Sequence, residues 1–193
     1  EIALRNMQTS NKELIDLVQI VLETYKVRDG NIRLYKENIL LKGFIKEIIE
    51  EMQPIAQKTN NTLEFIQQRD IRVYADRIQL KRVIKNLIQN AISYGEPNFP
   101  IEVSIGEIPQ YIVIKVKDYG AGISKTDIDK IFNKYYSAAK KFRKIGTGLG
   151  LYLALQIIKS HNGELSVESE EGNFTEFTIK LPAVMNINLH YGE

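Results

Sequence analysis

Three glycines at alternate positions, Gly146, Gly148 and Gly150, run directly into a periodic apolar stretch that reaches Ile158. Glycine is a poor helix former, so glycines massed where a helix begins need a reason. Without side chains they expose successive backbone N–H groups, and the helix N-terminus adds positive potential. The run Gly146-Thr147-Gly148-Leu149-Gly150-Leu151 therefore reads as an anion cradle. Its spacing is neither that of a Walker A loop nor that of a Rossmann turn.

The rest of the chain bounds what can surround such a cradle. Its 193 residues are 44% hydrophobic and 26% charged, enough for one domain with a real core and a short attached element. A formal net charge of +2 gives no global basic field, which argues against nucleic acid as a partner. With no cysteine, a disulfide framework and a thiolate metal site are both excluded. No apolar run approaches the ~20 residues that span a bilayer. The N-terminus has no signal-peptide layout and starts in helical periodicity without methionine, as expected of a cytoplasmic fragment whose longer parent would carry any membrane anchor elsewhere.

Leu4, Met7, Leu14, Val18, Val21 and Tyr25 trace an a/d seam, with Asn11 as one polar step. Leu17, Ile20 and Leu22 widen it, so this helix wants partner helices. Packing on its own domain is the plainer reading. Asp29-Gly30-Asn31 ends it. Ile32–Leu34 and Asn38–Leu40 look extended. A helix over about 42–58 has Phe44, Ile45, Ile48, Ile49 and Met52 inward, and Pro54 is expected to bend its last turns. Thr62–Ile66 and Ile71–Tyr74 read as strands joined by a short turn.

Asp76 caps a helix from Arg77 to about Ser93, whose apolar row is Leu80, Ile84, Leu87 and Ala91. Strands Ile101–Ile105 and Tyr111–Lys117 follow, then a short helix near Lys125–Phe132. A helix from about Leu149 to Ser160 buries Leu151, Ala154, Leu155 and Ile158. Strands Glu164–Glu168 and Thr175–Leu181 close the domain. The order predicts an α+β fold, a mixed sheet with helices on one face, preceded by a long helix.

Three further constellations could serve a ligand. Asn86 and Asn90 leave one side of their helix at the edge of its apolar row. An unpaired amide there costs roughly 1–3 kcal/mol. Either both hold neighbouring loops, or their carbonyls serve a hard cation such as Mg²⁺. Asp118-Tyr119-Gly120-Ala121-Gly122-Ile123 follows a strand. It is either a plain turn or a carboxylate that accepts from an exocyclic amine, with glycines that let backbone approach a flat ligand. Between this motif and the cradle lie Lys130, Lys134, Lys140, Lys141, Arg143 and Lys144, with Ile131-Phe132 and Tyr135-Tyr136 as apolar hooks. The stretch reads as a lid or as a solvated basic loop.

The same number of residues separates Asn90 from Asp118 and Asp118 from Gly146. In this order the motifs resemble the N, G1, F and G2 boxes of the sensor histidine kinase catalytic domain, within the wider family that includes gyrase, the Hsp90 chaperone and MutL. The resemblance covers about residues 32–182. Val73–Asp76 resembles the segment before the N box, and Glu171–Phe177 with Leu181-Pro182 resembles the closing strands. Residues 1–29 resemble the second helix of the dimerisation and phosphotransfer bundle. The domains expected are that helix, a catalytic domain over 30–183 and a tail over 184–193.

The resemblance implies a two-layer Bergerat-type sandwich that binds ATP and Mg²⁺. It implies Asn90 as the Mg²⁺ ligand with Asn86 assisting, Tyr94 on the adenine, and Asp118 accepting the adenine amine. Gly120, Gly122 and Ile123 would line the base pocket, with Thr175 beneath it. Phe132 and Tyr135 would anchor the lid, with Lys134 and Lys141 as its cations. Gly146, Thr147, Gly148, Leu149, Gly150 and Leu151 would hold the phosphate tail. The implied reaction passes the ATP γ-phosphoryl to a histidine for relay to a response regulator, in a homodimer. Position 93 is serine where the family commonly has a cation, and position 137 is serine where a lid arginine is frequent. Only His161 and His190 are present, and neither has the acceptor pattern. The acceptor helix is therefore absent from this chain, and His161 is expected to serve the dipole at a helix C-terminus. The alternative is a nucleotide-binding regulator that transfers nothing, such as a degenerate kinase or an anti-sigma-like module. A gyrase-type ATPase is disfavoured, because Arg82, Val83 and Asn86 stand where its glutamate is needed.

Overall fold

The computed structural model describes residues 32–67, 69–136 and 148–183. The expected bundle helix over 1–29 and the tail over 184–193 lie outside the described residues. The chain runs β1 (Lys36–Leu40), α1 (Leu41–Gln57), β2 (Thr62–Gln67), β3 (Arg72–Asp76), α2 (Arg77–Tyr94), β4 (Pro100–Ile108) and β5 (Tyr111–Asp118). It continues with α3 (Lys125–Ile128), α4 (Gly150–Ser160), β6 (Glu164–Glu170) and β7 (Phe174–Pro182).

Period-2 patterning puts one row of each strand into the core. Ile101, Val103 and Ile105 of β4 are buried, as are Ile112, Ile114 and Val116 of β5 and Phe177, Ile179 and Leu181 of β7. On the other face, Glu102, Lys117, Glu176 and Glu168 share one cross-strand row. The main sheet has the order β2-β4-β5-β7-β6. It is mixed: β2 pairs parallel to β4 and all other pairs are antiparallel. Helix α1 packs on β2, α2 on β5 and α4 on β6, which makes the helical layer.

β2 and β3 follow each other closely in the chain, as expected, but belong to different sheets: β3 pairs with β1 in a separate antiparallel ribbon, from Lys36↔Asp76 to Leu40↔Arg72. Hydrophobic burial decides this. Val73 and Ala75 of β3 and Ile39 of β1 are fully covered by the helices, while Leu63 of β2 is covered in the main sheet.

Helix α1 continues through Pro54 to Gln57 and buries Leu41, Phe44, Ile45, Ile48, Met52 and Ala56. Its acidic side faces the basic side of α2. Glu47 pairs with Arg77 at 2.6 Å and with Lys81 at 2.7 Å, and Glu51 pairs with Lys81 and Lys85. These pairs are solvated and set register more than stability. The adhesive is apolar: Leu80, Ile84, Leu87 and Ile88 of α2 are fully covered, each contributing about 1.5–3 kcal/mol. Helix α3 is shorter than expected, ending at Ile128 and passing into turns. Helix α4 buries Leu153, Ala154, Ile157 and Ile158, and leaves Leu151 and Leu155 half-covered. Its inward face is thus rotated from the one the sequence suggests.

Candidate functional site

Helix α2 is the spine of the site. Asp76 caps it as expected: Oδ1 accepts the Gln79 N–H at 3.0 Å, and Oδ2 accepts the Tyr35 N–H at 2.8 Å. Asn86 and Asn90 sit half-buried beside the covered row Leu80, Ile84, Leu87 and Ala91. The Asn86 Nδ2 is buried and has no hydrogen-bond partner among the described residues. Its Oδ1 lies only 2.5 Å from where a Cβ on Gly150 would stand, so the bare backbone at the start of α4 makes room for this amide. A buried amide donor without a protein acceptor is what an anion completes.

The other end of the same helix meets the second motif. Gly120 bridges to Gly95 just past the α2 terminus. The Ala121 N–H donates to the Tyr94 carbonyl at 3.2 Å, and the Glu96 N–H donates to the Tyr119 carbonyl at 3.0 Å. A Cβ on Gly120 would come within 2.0 Å of the Tyr94 carbonyl oxygen, which is the packing reason for that glycine. Tyr94 itself is half-buried, and that burial raises its phenol pKa.

Asp118 ends β5, only 3% exposed, with its Oδ1 buried and unpartnered among the described residues. Burial pushes its carboxyl up to about 7, against a smaller opposing effect from a hydrogen bond with the Gly120 backbone. In register beside it stands buried Thr175 of β7, and beside that Ser169 of β6. The Ser169 Oγ accepts the Ile123 N–H at 2.8 Å and donates to the Phe174 carbonyl at 2.7 Å. Ser169 thus fixes the exit of the Asp118 loop. Gly122, at φ +62°, presses its bare Cα against the Glu170 carbonyl, where a Cβ would lie 2.1 Å away.

Two residues that position this end carry no motif. Ser169 is one. Asn61 is the other: it is buried, and its Nδ2 donates to the carbonyls of Glu96 at 2.7 Å and Phe99 at 3.2 Å. The one sequence signal for either is a small polar residue at a strand or turn position facing inward.

The stem of the expected lid rests on both ends. Phe132 meets Phe177 edge-on, with centroids 6.4 Å apart. The Tyr135 N–H donates to the Gly148 carbonyl at 3.0 Å, and its ring is exposed beneath the Lys134 ammonium, 5.0 Å away. Gly148 has φ +65°, and a Cβ there would lie 2.5 Å from the Tyr135 carbonyl carbon. Leu149 is buried ahead of α4, and Leu151 packs against the core from its first turn. Gly146, Thr147 and Lys141, with Lys140, Arg143 and Lys144, lie outside the described residues.

The arrangement has two poles on one helix. Asn86 touches Gly150 at one, and Tyr94 touches Gly120 beside Asp118 at the other. Eight residues of helix separate them by roughly 12 Å. The polar pole at Asn86 suits phosphate oxygens, and the buried acceptor at Asp118 suits an amine on a flat ring. For Mg²⁺, the half-buried amides of Asn86 and Asn90 are the oxygen donors on this face. No group of three or more His, Cys, Asp or Glu residues placed to hold a metal ion occurs among the described residues.

His161 differs from expectation in one respect. It is structural and caps α4, but it is 2% exposed and works as a neutral ring. Its Nε2 accepts the Asp76 N–H at 2.9 Å while its Nδ1 donates to the Ile157 carbonyl at 2.8 Å. Burial is the main reason its pKa is lowered, so its service to the fold is a hydrogen-bond bridge, not a charge at the helix dipole.

Comparison with known proteins agrees with this geometry. Residues 75–185 match the family described as histidine kinase-, DNA gyrase B-, and HSP90-like ATPase. The sensor histidine kinase WalK of Bacillus subtilis is 32% identical over 181 residues, which is 91% of this chain and 29% of that protein. The sensor protein kinase WalK of Staphylococcus aureus is 33% identical over 175 residues, 89% of this chain and 42% of that protein. The chain therefore spans less than half the length of these curated relatives. The catalytic domain of the histidine kinase ThkA superimposes with a TM-score of 0.69 at 28% identity, over 78% of this chain and 97% of that one. The Acinetobacter baumannii histidine kinase AdeS shares the fold, with a TM-score of 0.80 at 23% identity, over 95% of this chain and 85% of that one. Matched over more than half its length by that family's model, the chain belongs to the histidine kinase-, DNA gyrase B-, and HSP90-like ATPases.

Proposed function

We propose that this chain is the ATP-binding catalytic portion of a sensor histidine kinase, and that it passes the γ-phosphoryl group to a histidine on a bundle helix it does not itself contain. The observation that carries the reading is the pair of buried polar atoms, Asp118 Oδ1 and Asn86 Nδ2, that have no hydrogen-bond partner among the described residues. An adenine amine would satisfy the first, which favours ATP over GTP, and a phosphate oxygen the second. Tyr94 stacks on the base, with Gly120, Gly122 and Ile123 lining its pocket and Thr175 beneath. Asn90, assisted by Asn86, would hold Mg²⁺, which would supply charge neutralisation on the phosphates. Gly148 to Leu151, with Gly146 and Thr147 ahead of them, cradle the phosphate tail at the α4 N-terminus. Phe132 and Tyr135 anchor the lid, and Lys134 and Lys141 supply its charge. The protein's task is alignment and charge neutralisation, as in other phosphoryl transfers.

In the parent protein, residues 1–29 are the second bundle helix, 30–183 the catalytic domain and 184–193 a tail. A second protomer completes the dimer and a response regulator receives the phosphoryl group. We place the catalytic portion in the cytoplasm; among the described residues no helix is long and apolar enough to cross a membrane.

Calorimetry of Mg-ATP binding to the wild type, Asn90→Ala and Asp118→Ala tests the site. Affinity that is undiminished in both variants removes the assignment. Mixing the chain with ATP and a separate acceptor-helix fragment tests the reaction. Tight ATP binding without phosphohistidine would favour a nucleotide-binding regulator.

A further inference from the structure

We propose that Arg82 is the cation that holds the terminal phosphoryl group of the bound nucleotide, an inference that rests on the ATP-site reading above. Arg82, Asn86 and Asn90 recur at four-residue intervals on α2, so they form one stripe. Each step advances about 6 Å along the axis. Arg82 therefore lies one turn beyond Asn86, on the side away from Asp118.

The packing of α2 on α4 shows what that turn faces. Asn86 meets Gly150 at one end of the pair, and Asp76 meets His161 at the other, so the two helices run antiparallel. Between these contacts lies a small cleft. Arg82, Val83 and Asn86 line it from α2, and Gly150, Ala154 and Ile157 from α4. Its floor is apolar, for Val83, Ala154 and Ile157 are buried. Its polar residues are Arg82 and Asn86, whose amide nitrogen is buried without a partner among the described residues, and the backbone at the start of α4 adds its N–H groups. An apolar floor strengthens a charge-assisted contact above it.

Position on α2 points the same way. Arg77, Lys81 and Lys85 reach Glu47 and Glu51 of α1. Arg82 lines the cleft opposite α4 and is half-buried. Among the basic residues of α2, Arg82 is the one that lines the cleft. A planar fork suits a phosphoryl group better than a lysine would.

The discriminating measurement compares two Mg²⁺-bound nucleotides on the full chain by calorimetry: AMP-PNP, which has a terminal phosphoryl group, and ADP, which lacks it. Wild type should prefer AMP-PNP. Arg82→Gln should lose about tenfold or more in AMP-PNP affinity, the range for a charge-assisted hydrogen bond, with ADP affinity within about twofold of wild type. Arg82→Lys should recover part of the difference. Equal losses for both nucleotides, or no loss for either, would overturn the proposal while leaving the ATP site in place. Wild type that binds neither nucleotide would overturn the ATP site and this proposal together. Circular dichroism of each variant confirms folding, and the lysine variant carries the comparison if the glutamine variant unfolds.

Discussion

The imidazole of His161 accepts the backbone N–H of Asp76 at 2.9 Å, so one ring ties the C-terminal end of α4 to the N-cap of α2. Both helices that meet at Asn86 and Gly150 are therefore pinned at their far ends by the same contact. Asp76 extends the node, because its second carboxylate oxygen accepts the N–H of Tyr35 where the chain enters β1.

Replacing His161 with leucine should fill the space but leave the buried Asp76 N–H without an acceptor. The expected cost is about 1–3 kcal/mol, read as a lower midpoint in urea with an unchanged slope. Acid adds a second signature. The folded-state pKa of His161 is depressed, so the unfolded chain takes up the proton first. This contribution to stability is present above the unfolded value near 6.5 and is lost as pH falls through the folded one. Leucine should abolish that part of the acid dependence.

Asp118 should give the opposite sign. Its folded pKa of about 7 stands above the ordinary value of 3.8, so the folded apoprotein holds a proton that the unfolded chain has released. Stability of the apoprotein from this group should fall as pH rises from about 4 to about 7. Asp118→Asn should be more stable than wild type at pH 8, by about 2–4 °C in Tm for each kcal/mol recovered. ATP affinity should move the other way, because the ionised carboxylate is the better acceptor for an adenine amine. Wild-type affinity should rise with pH through about 7, and the asparagine variant should lose affinity and that profile. Flat profiles in wild type would remove Asp118 from the base site.

Ser169 is predicted to matter without touching phosphate. Ser169→Ala removes the acceptor for the Ile123 N–H and the donor to the Phe174 carbonyl. ADP and AMP-PNP should both bind several-fold more weakly, by equal factors, since the change loosens the base loop alone. The stability cost should be about 1–3 kcal/mol. Loss confined to AMP-PNP would contradict this assignment.

Gly148→Ala should weaken the proposed phosphate site from the side of Tyr135. At φ +65° a Cβ is strained, and it would fall 2.5 Å from the Tyr135 carbonyl carbon. The hydrogen bond between the Tyr135 N–H and the Gly148 carbonyl should open. The expected result is faster amide exchange at Tyr135 and tenfold or greater loss of AMP-PNP affinity, an order-of-magnitude figure for about 1.4 kcal/mol.

Local chemistry was readable wherever it decided the outcome. The Asp76 cap, the α2 row Leu80, Ile84, Leu87 and Ala91, and the β4 row Ile101, Val103 and Ile105 all follow from neighbours in sequence. The motif order also placed Asn86, Asp118 and Gly150 around one helix. Partner choice was not readable. Thr62–Ile66 and Ile71–Tyr74 read as neighbouring strands, yet the first pairs parallel to β4 and the second antiparallel to β1, partners that lie elsewhere along the chain. The inward face of α4 depends on how it crosses α2, which periodicity cannot supply. Ser169 and His161 act through atoms whose partners lie far along the chain, 46 residues away for Ser169 and 85 for His161.

The strand order has a consequence for how the chain is made. β7 is the last strand of the described fold and lies inside the sheet, between β5 and β6. As the polypeptide emerges from the ribosome, β6 has no neighbour in the sheet and Asp118 has no Thr175 beside it until Phe174–Pro182 has been synthesised. Nascent chains that end short of Phe174 should remain protease-sensitive in their second half. Those that extend past Pro182 should acquire resistance in a single step.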